Sequence, residues 1–279
     1  MQDESEISSK KLDLPARSWS QRYALLLFLI LALIIAWVFW IPMAMLGPII
    51  TENFFLSLLV QSLGALSVLI SLFILEKVTK KQVNADQIFN LIRLNKKAIF
   101  WLILATFIFI LPKIAANFLN TVAGYEPYFI IFIEELWMTL GLGVIPTMIA
   151  LLLAGLLSSP FLEEPGWRGY ALSELRSRLG REGGSLLLGS YWWLWHIPIY
   201  ITYRLDMGIY SLVEMVLYSF IIDSLFILSK KNLLVAMMAH SSLRVAITYF
   251  YSSQTNLFLP IIFLGVVIIM RLVEWKQMK

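Results

Sequence analysis

The chain has 279 residues, of which 59% are hydrophobic and only 14% charged, against roughly 25% charged in an ordinary soluble domain. That balance excludes a soluble globular enzyme and describes an all-α, polytopic membrane protein. There is no cysteine, so disulfides, thiolate metal sites and a cysteine nucleophile are excluded. The net charge of +4 follows membrane topology, so no nucleic-acid partner is expected.

Residues 1–20 form a polar tail carrying Asp3, Glu4, Glu6, Lys10, Lys11 and Arg17. The apolar run behind it is too long for a cleavable signal, so it reads as a retained helix, and 21–279 read as a single membrane-embedded domain. A spanning helix needs about 20 mostly apolar residues. Eight are expected, over 22–46, 53–75, 98–119, 137–159, 184–203, 209–229, 231–250 and 256–273. Pro146 should kink the fourth. Between the second and third, Asn84-Ala85-Asp86-Gln87 resembles a capping box, followed by Ile88, Leu91 and Ile92 on one face. That pattern predicts a short helix on the membrane surface. No internal repeat is visible.

All but three of the 22 basic residues (Lys113, Arg204 and Arg244) fall on one side of this eight-helix arrangement. Basic residues concentrate in cytoplasmic connections, so both termini are expected in the cytoplasm, the membrane being a bacterial plasma membrane. The opposite side carries Glu52, Glu126, Glu134 and Glu135.

Against this apolar background, Glu163-Glu164-Pro165-Gly166-Trp167-Arg168 is conspicuous, because ionisable groups near the membrane interior are costly and usually functional. Pro165 disfavours a helical Glu164 and favours a helix start at 165, which would put both glutamates at a helix N-terminus where the dipole favours negative charge. Glu164 and Arg168 are four apart and can pair, leaving Glu163 available. An amphipathic surface helix is expected beyond, ending near Gly180. Glu134-Glu135 has Thr139 where the arginine would be, lies on the opposite side, and reads as structural.

The chain has two histidines, His196 and His240, and both lie in apolar segments. Counting from the cytoplasmic ends of their helices, they sit about 18 Å and about 14 Å deep. They therefore share a depth with each other and border the double glutamate. The three places are expected to meet in one hydrolytic site. Arg244 follows His240 by four residues and shares its face. An unpaired arginine there is expensive, so Asp223 or one of the glutamates should partner it. Lys113 reads as structural or as a side chain reaching the interface. Trp192 and Trp195 can wall the site.

Glu163-Glu164-x-x-x-Arg168, then Trp192-x-x-x-His196, then His240-x-x-x-Arg244 resemble the motifs of the CPBP family. These are the CAAX prenyl proteases and bacteriocin-processing enzymes, intramembrane endopeptidases also called Abi proteins. The motifs span 161–244, and the helix count extends the likeness to the whole chain. The resemblance implies that Glu163 activates a water, that His196 assists it, and that His240 with the residue at 244 stabilises the oxyanion. It also implies a prenylated CAAX protein or a peptide precursor as substrate, approaching from the cytoplasmic side, with membrane lipid around the enzyme. Position 244 departs from the pattern, since the family usually has asparagine there. That arginine either donates more strongly to an oxyanion or locks onto a carboxylate and silences the site.

The chemistry expected is peptide hydrolysis by a carboxylate-activated water. Glu163, His196 and His240 are also ligand types that suit zinc with an open fourth position, although no His-Glu-x-x-His is present. The competing readings are a catalytically silent immunity or assembly protein on the same scaffold and a small transporter with a proton relay.

Overall fold

A computed structural model of the protein describes residues 19–124, 143–249 and 258–277. All regular structure there is helical. The chain is a polytopic all-α membrane protein. Its elements are α1 (Trp19–Leu46), a single turn Pro48–Thr51, α2 (Phe54–Ala65), α3 (Ser67–Val78), α4 (Ala85–Phe89), α5 (Lys96–Phe107) and α6 (Ile110–Val122). There follow α7 (Val144–Leu156), α8 (Ser159–Glu164), a π-helix over Pro165–Ala171, α9 (Leu172–Trp195), α10 (Ile197–Tyr203), α11 (Ile209–Leu228), α12 (Leu233–Tyr249) and α13 (Phe258–Gln277).

Among the described residues, six helical runs are long and apolar enough to cross a membrane, with Leu233–Ile247 a shorter apolar helix beside them. One run, Pro146–Trp195, is 50 residues long and is not one crossing. Gly180 takes φ 74° and ψ −179°, a conformation open to glycine but costly for other residues. Beyond it the chain folds back, so that a Cβ on Gly184 would lie 2.8 Å from the backbone N of Arg176. The expected reversal near Gly180 is therefore present. The tail, the Glu134-Glu135 pair and the first part of the expected fourth helix lie outside the described residues.

Prolines mark two of the breaks inside the apolar runs. Proline lacks an N–H and collides with the carbonyl four residues back. Pro112 accordingly follows the α5–α6 break at Ile108 and Phe109, and Pro198 follows the α9–α10 break at His196. Pro146 behaves differently from expectation. It falls in the first turn of α7, where the missing N–H has no intrahelical acceptor to lose. The short surface element is present as α4, with the Asn84 side chain accepting from Gln87 N at 3.1 Å.

The outer surface is hydrocarbon. Ile30, Ile34 and Val38, spaced four apart on one face of α1, are 44%, 56% and 62% exposed, which suits lipid contact and would be a liability in water. The interior closes around the π-helix. Phe28 meets Trp167 and Tyr170 edge-on at 5.6 and 5.2 Å. A Cβ on Gly166 would lie 2.3 Å from Val68 Cγ1, so only glycine lets the π-helix approach α3 this closely. α11 packs between α9 and α13 and buries more than half of its residues.

Candidate active site

The double glutamate does not cap a helix. Glu164 has helical dihedrals (φ −62°, ψ −32°), and the helix begins earlier, at Ser159 with Pro160 in its first turn. At Pro165 the chain widens into the π-helix, where Leu172 N donates to Trp167 O, five residues back. The wider turn accommodates the proline without ending the helical path, and single π-turns recur at functional sites. As a result, Glu163, Glu164, Trp167 and Arg168 enter the protein interior together. All are essentially inaccessible, Glu163 being 2% and Glu164 and Arg168 0% exposed. This first part is therefore core, and the predicted amphipathic alternation holds only beyond it, with Leu172 and Leu175 buried and Ser173 and Arg178 exposed.

The two carboxylates face different partners. Glu163 Oε2 accepts from the indole N–H of Trp167 at 3.3 Å and of Trp192 at 3.2 Å. Glu164 Oε1 receives Arg168 Nη1 at 3.1 Å and faces His240 Nδ1 at 2.7 Å. Arg168 extends the network. Its Nε donates to Asp223 Oδ1 at 3.0 Å and its Nη2 to Ser219 Oγ at 3.3 Å, while its guanidinium lies 5.0 Å from the centre of the Trp192 ring. A fork of fixed donors suits two carboxylates and a hydroxyl at once.

Trp192 is the centre of the arrangement. Besides holding Glu163 and covering Arg168, its ring meets His240 edge-on at 5.0 Å and His196 at 5.5 Å. The two imidazoles thus flank one indole, as their shared depth predicts. His196 stands at the break made by Pro198. Its Nδ1 lies 2.8 Å from Trp192 O; a carbonyl only accepts, so Nδ1 carries the proton and the neutral ring keeps a lone pair on Nε2. The ring is stacked on Trp40 at 5.8 Å and edged by Trp195 at 4.8 Å.

Arg244 is half-buried on α12 and donates to Ser158 Oγ at 3.1 Å and Ser159 Oγ at 2.8 Å. Asp223 is therefore Arg168's partner and not Arg244's. Among the described residues no carboxylate lies within salt-bridge distance of Arg244, although Arg244 and His240 each stand within electrostatic range of Glu163 and of His196. Lys113 is buried and within reach of Glu214, so it is a packed charge and not one extended to the head groups.

Sequence reasoning missed Trp167 as a donor to Glu163, Ser219 as an acceptor, and the serine pair at 158 and 159. The i,i+4 spacing of Glu163 and Trp167 was a readable signal for the first. Among the described residues no three of His, Asp and Glu converge as a group able to hold a metal ion, while the engagement of both Nδ1 atoms leaves the Nε2 atoms as the donors a metal would take.

Residues 145–246 match the family described as Type II CAAX prenyl endopeptidase Rce1-like. Over these residues the chain is similar to the Rce1-like family. The matched region runs from α7 into α12 and contains Glu163, Glu164, Arg168, Trp192, His196, His240 and Arg244. A 55-residue stretch is 44% identical to CAAX prenyl protease 2 of Methanococcus maripaludis, covering 20% of this chain and 18% of that protein. The chain is thus matched to under a fifth of that relative's length.

Proposed function

We propose that this Rce1-like protein is an intramembrane endopeptidase, with both termini in the cytoplasm of a bacterial cell. The observation that carries the reading is the convergence on Trp192 of three separately encoded places: Glu163 through its indole N–H, and His196 and His240 on its ring. A packing core would have no use for two imidazoles, two carboxylates and two guanidiniums in one apolar interior, since each carries a large desolvation cost.

The roles follow from the contacts. Glu163 takes a proton from a water whose oxygen attacks the scissile carbonyl carbon. His196, fixed through Nδ1, accepts from the same water at Nε2. The tetrahedral oxyanion forms beside Arg244 and His240. Arg244 donates to the oxyanion, and Glu164 orients the His240 ring through Nδ1 as a carboxylate does for histidine in serine hydrolases. One such donor is worth about 2.7–4 kcal/mol in the transition state. Glu163 then returns the proton to the amide nitrogen as the C–N bond breaks, giving a carboxylic acid end and an amine. The substrate class we propose is a lipidated CAAX-type protein or a peptide precursor entering from the basic face of the membrane.

The deciding experiment is cleavage by purified Glu163→Gln protein of a prenylated CAAX peptide and a peptide precursor, against wild type. Glutamine keeps the acceptor for both indoles and removes the base, so cleavage should vanish while the protein stays folded. Unchanged turnover would end the enzyme reading. The alternative, a silent immunity or assembly protein, draws on one observation: Arg244 occupies an asparagine position and is engaged by two serines.

A further inference from the structure

Outside the catalytic cluster, on the basic face, an open cleft of about 140 Å³ lies between the segment before α5 and the turn joining α11 to α12. Its lining includes Arg93, Lys97, Lys230, Trp101 and Ser229. All three cations are exposed, and among the described residues none pairs with a carboxylate. We propose that this cleft binds the phosphate-bearing head group of an anionic membrane lipid.

The cleft is built, not incidental. Asn232, 3% exposed, clamps one wall to the other: its Oδ1 accepts from Arg93 N at 3.2 Å and its Nδ2 donates to Arg93 O at 2.8 Å. Leu233 N donates to Leu91 O at 2.9 Å. The guanidinium of Arg93 donates to the carbonyls of Lys230 and Lys231, two consecutive lysines in the left-handed region at φ 60° and 57°. That conformation is uncommon for lysine and persists only where the surroundings enforce it. Arg93 holds the turn, and the Lys230 and Lys97 ammonium groups stay available at the mouth.

The flanking residues point to the occupant. Trp101 follows Lys96 and Lys97 into α5, the order expected of a helix entering the bilayer through its head-group zone. Beside it on α5, Phe100 and Ile103 are 62% and 57% exposed and offer an apolar track for an acyl chain below the charged mouth. Basic pockets between helices on the cytoplasmic side are suited to acidic head groups.

The test uses the full chain in neutral detergent, titrated with phosphatidylglycerol or phosphatidylcholine and read by native mass spectrometry. Wild type should retain phosphatidylglycerol over phosphatidylcholine. The pair Lys97→Gln and Lys230→Gln, both exposed, should weaken phosphatidylglycerol roughly tenfold or more. The charge-matched pair Lys80→Gln and Lys81→Gln should change it by less than about twofold. Equal losses in both pairs, or none in the first, would overturn the site. Displacement of the lipid by millimolar inorganic phosphate would overturn the lipid as its occupant.

Discussion

His240 Nδ1 lies 2.7 Å from Glu164 Oε1, the same oxygen that meets Arg168 at 3.1 Å. The second glutamate of the pair is therefore the one that joins three elements: α8, the π-helix and α12. Among the described residues, the first accepts only from indole N–H donors. Two adjacent residues of the same type divide into a positioning group and a reactive group because a helix turns each successive side chain about 100°.

That division predicts unequal stability effects. Glu164→Gln removes one of the two buried carboxylates that face the Arg168 guanidinium, and with Asp223 still in place the weakened hydrogen bonding should cost about 1–3 kcal/mol. Glu163→Gln keeps an acceptor for both indoles and should cost under about 1 kcal/mol. Thermal unfolding of the two purified variants would compare them directly. A Glu163→Gln protein as destabilised as Glu164→Gln would contradict the assignment.

Trp192→Phe keeps an aromatic ring between the imidazoles and deletes the donor to Glu163. Misplacing a reacting group by about 1 Å can cost about 100-fold in rate, so cleavage should fall steeply while the fold is retained. Trp167→Phe removes the longer of the two bonds and should be milder. The measurement is kcat against KM for both variants on one peptide. The loss is expected in kcat.

Gly166→Ala places a methyl 2.3 Å from Val68 Cγ1 and 2.9 Å from Phe28 Cζ. Overpacking of this kind costs about 1–3 kcal/mol. Val68→Ala, destabilising alone, should restore part of that loss in the double variant, because the two changes share the same contact. Strict additivity in unfolding measurements would show that α3 and the π-helix do not meet here.

Arg244→Asn separates the two functional readings. In an active protease, with Arg244 donating to the oxyanion, the shorter amide should lower turnover or leave it near wild type, and the released Ser158 and Ser159 should matter little to folding. In a silent protein the same change should create or raise cleavage. Peptide cleavage by the purified variant beside wild type distinguishes them.

Much of this protein was settled by the order of its residues. Apolar runs about 20 residues long dictated where helices form, prolines at 112 and 198 marked two of their breaks, and Glu164 and Arg168 at i,i+4 paired because helix geometry alone brings them together. The meeting of Glu163, Trp192 and the two imidazoles was also foreshadowed, since depth along a membrane helix follows from counting residues. Partner choice was decided only by tertiary structure. Asp223 went to Arg168 and not to Arg244, His240 to Glu164 and not to Glu163, and the glutamates entered the core within a π-turn instead of capping a helix. Such choices depend on the rotation of one helix against another and on local widening at Pro165. Pairwise spacing carries no record of either, because each is fixed by close packing such as that of Gly166 against Val68.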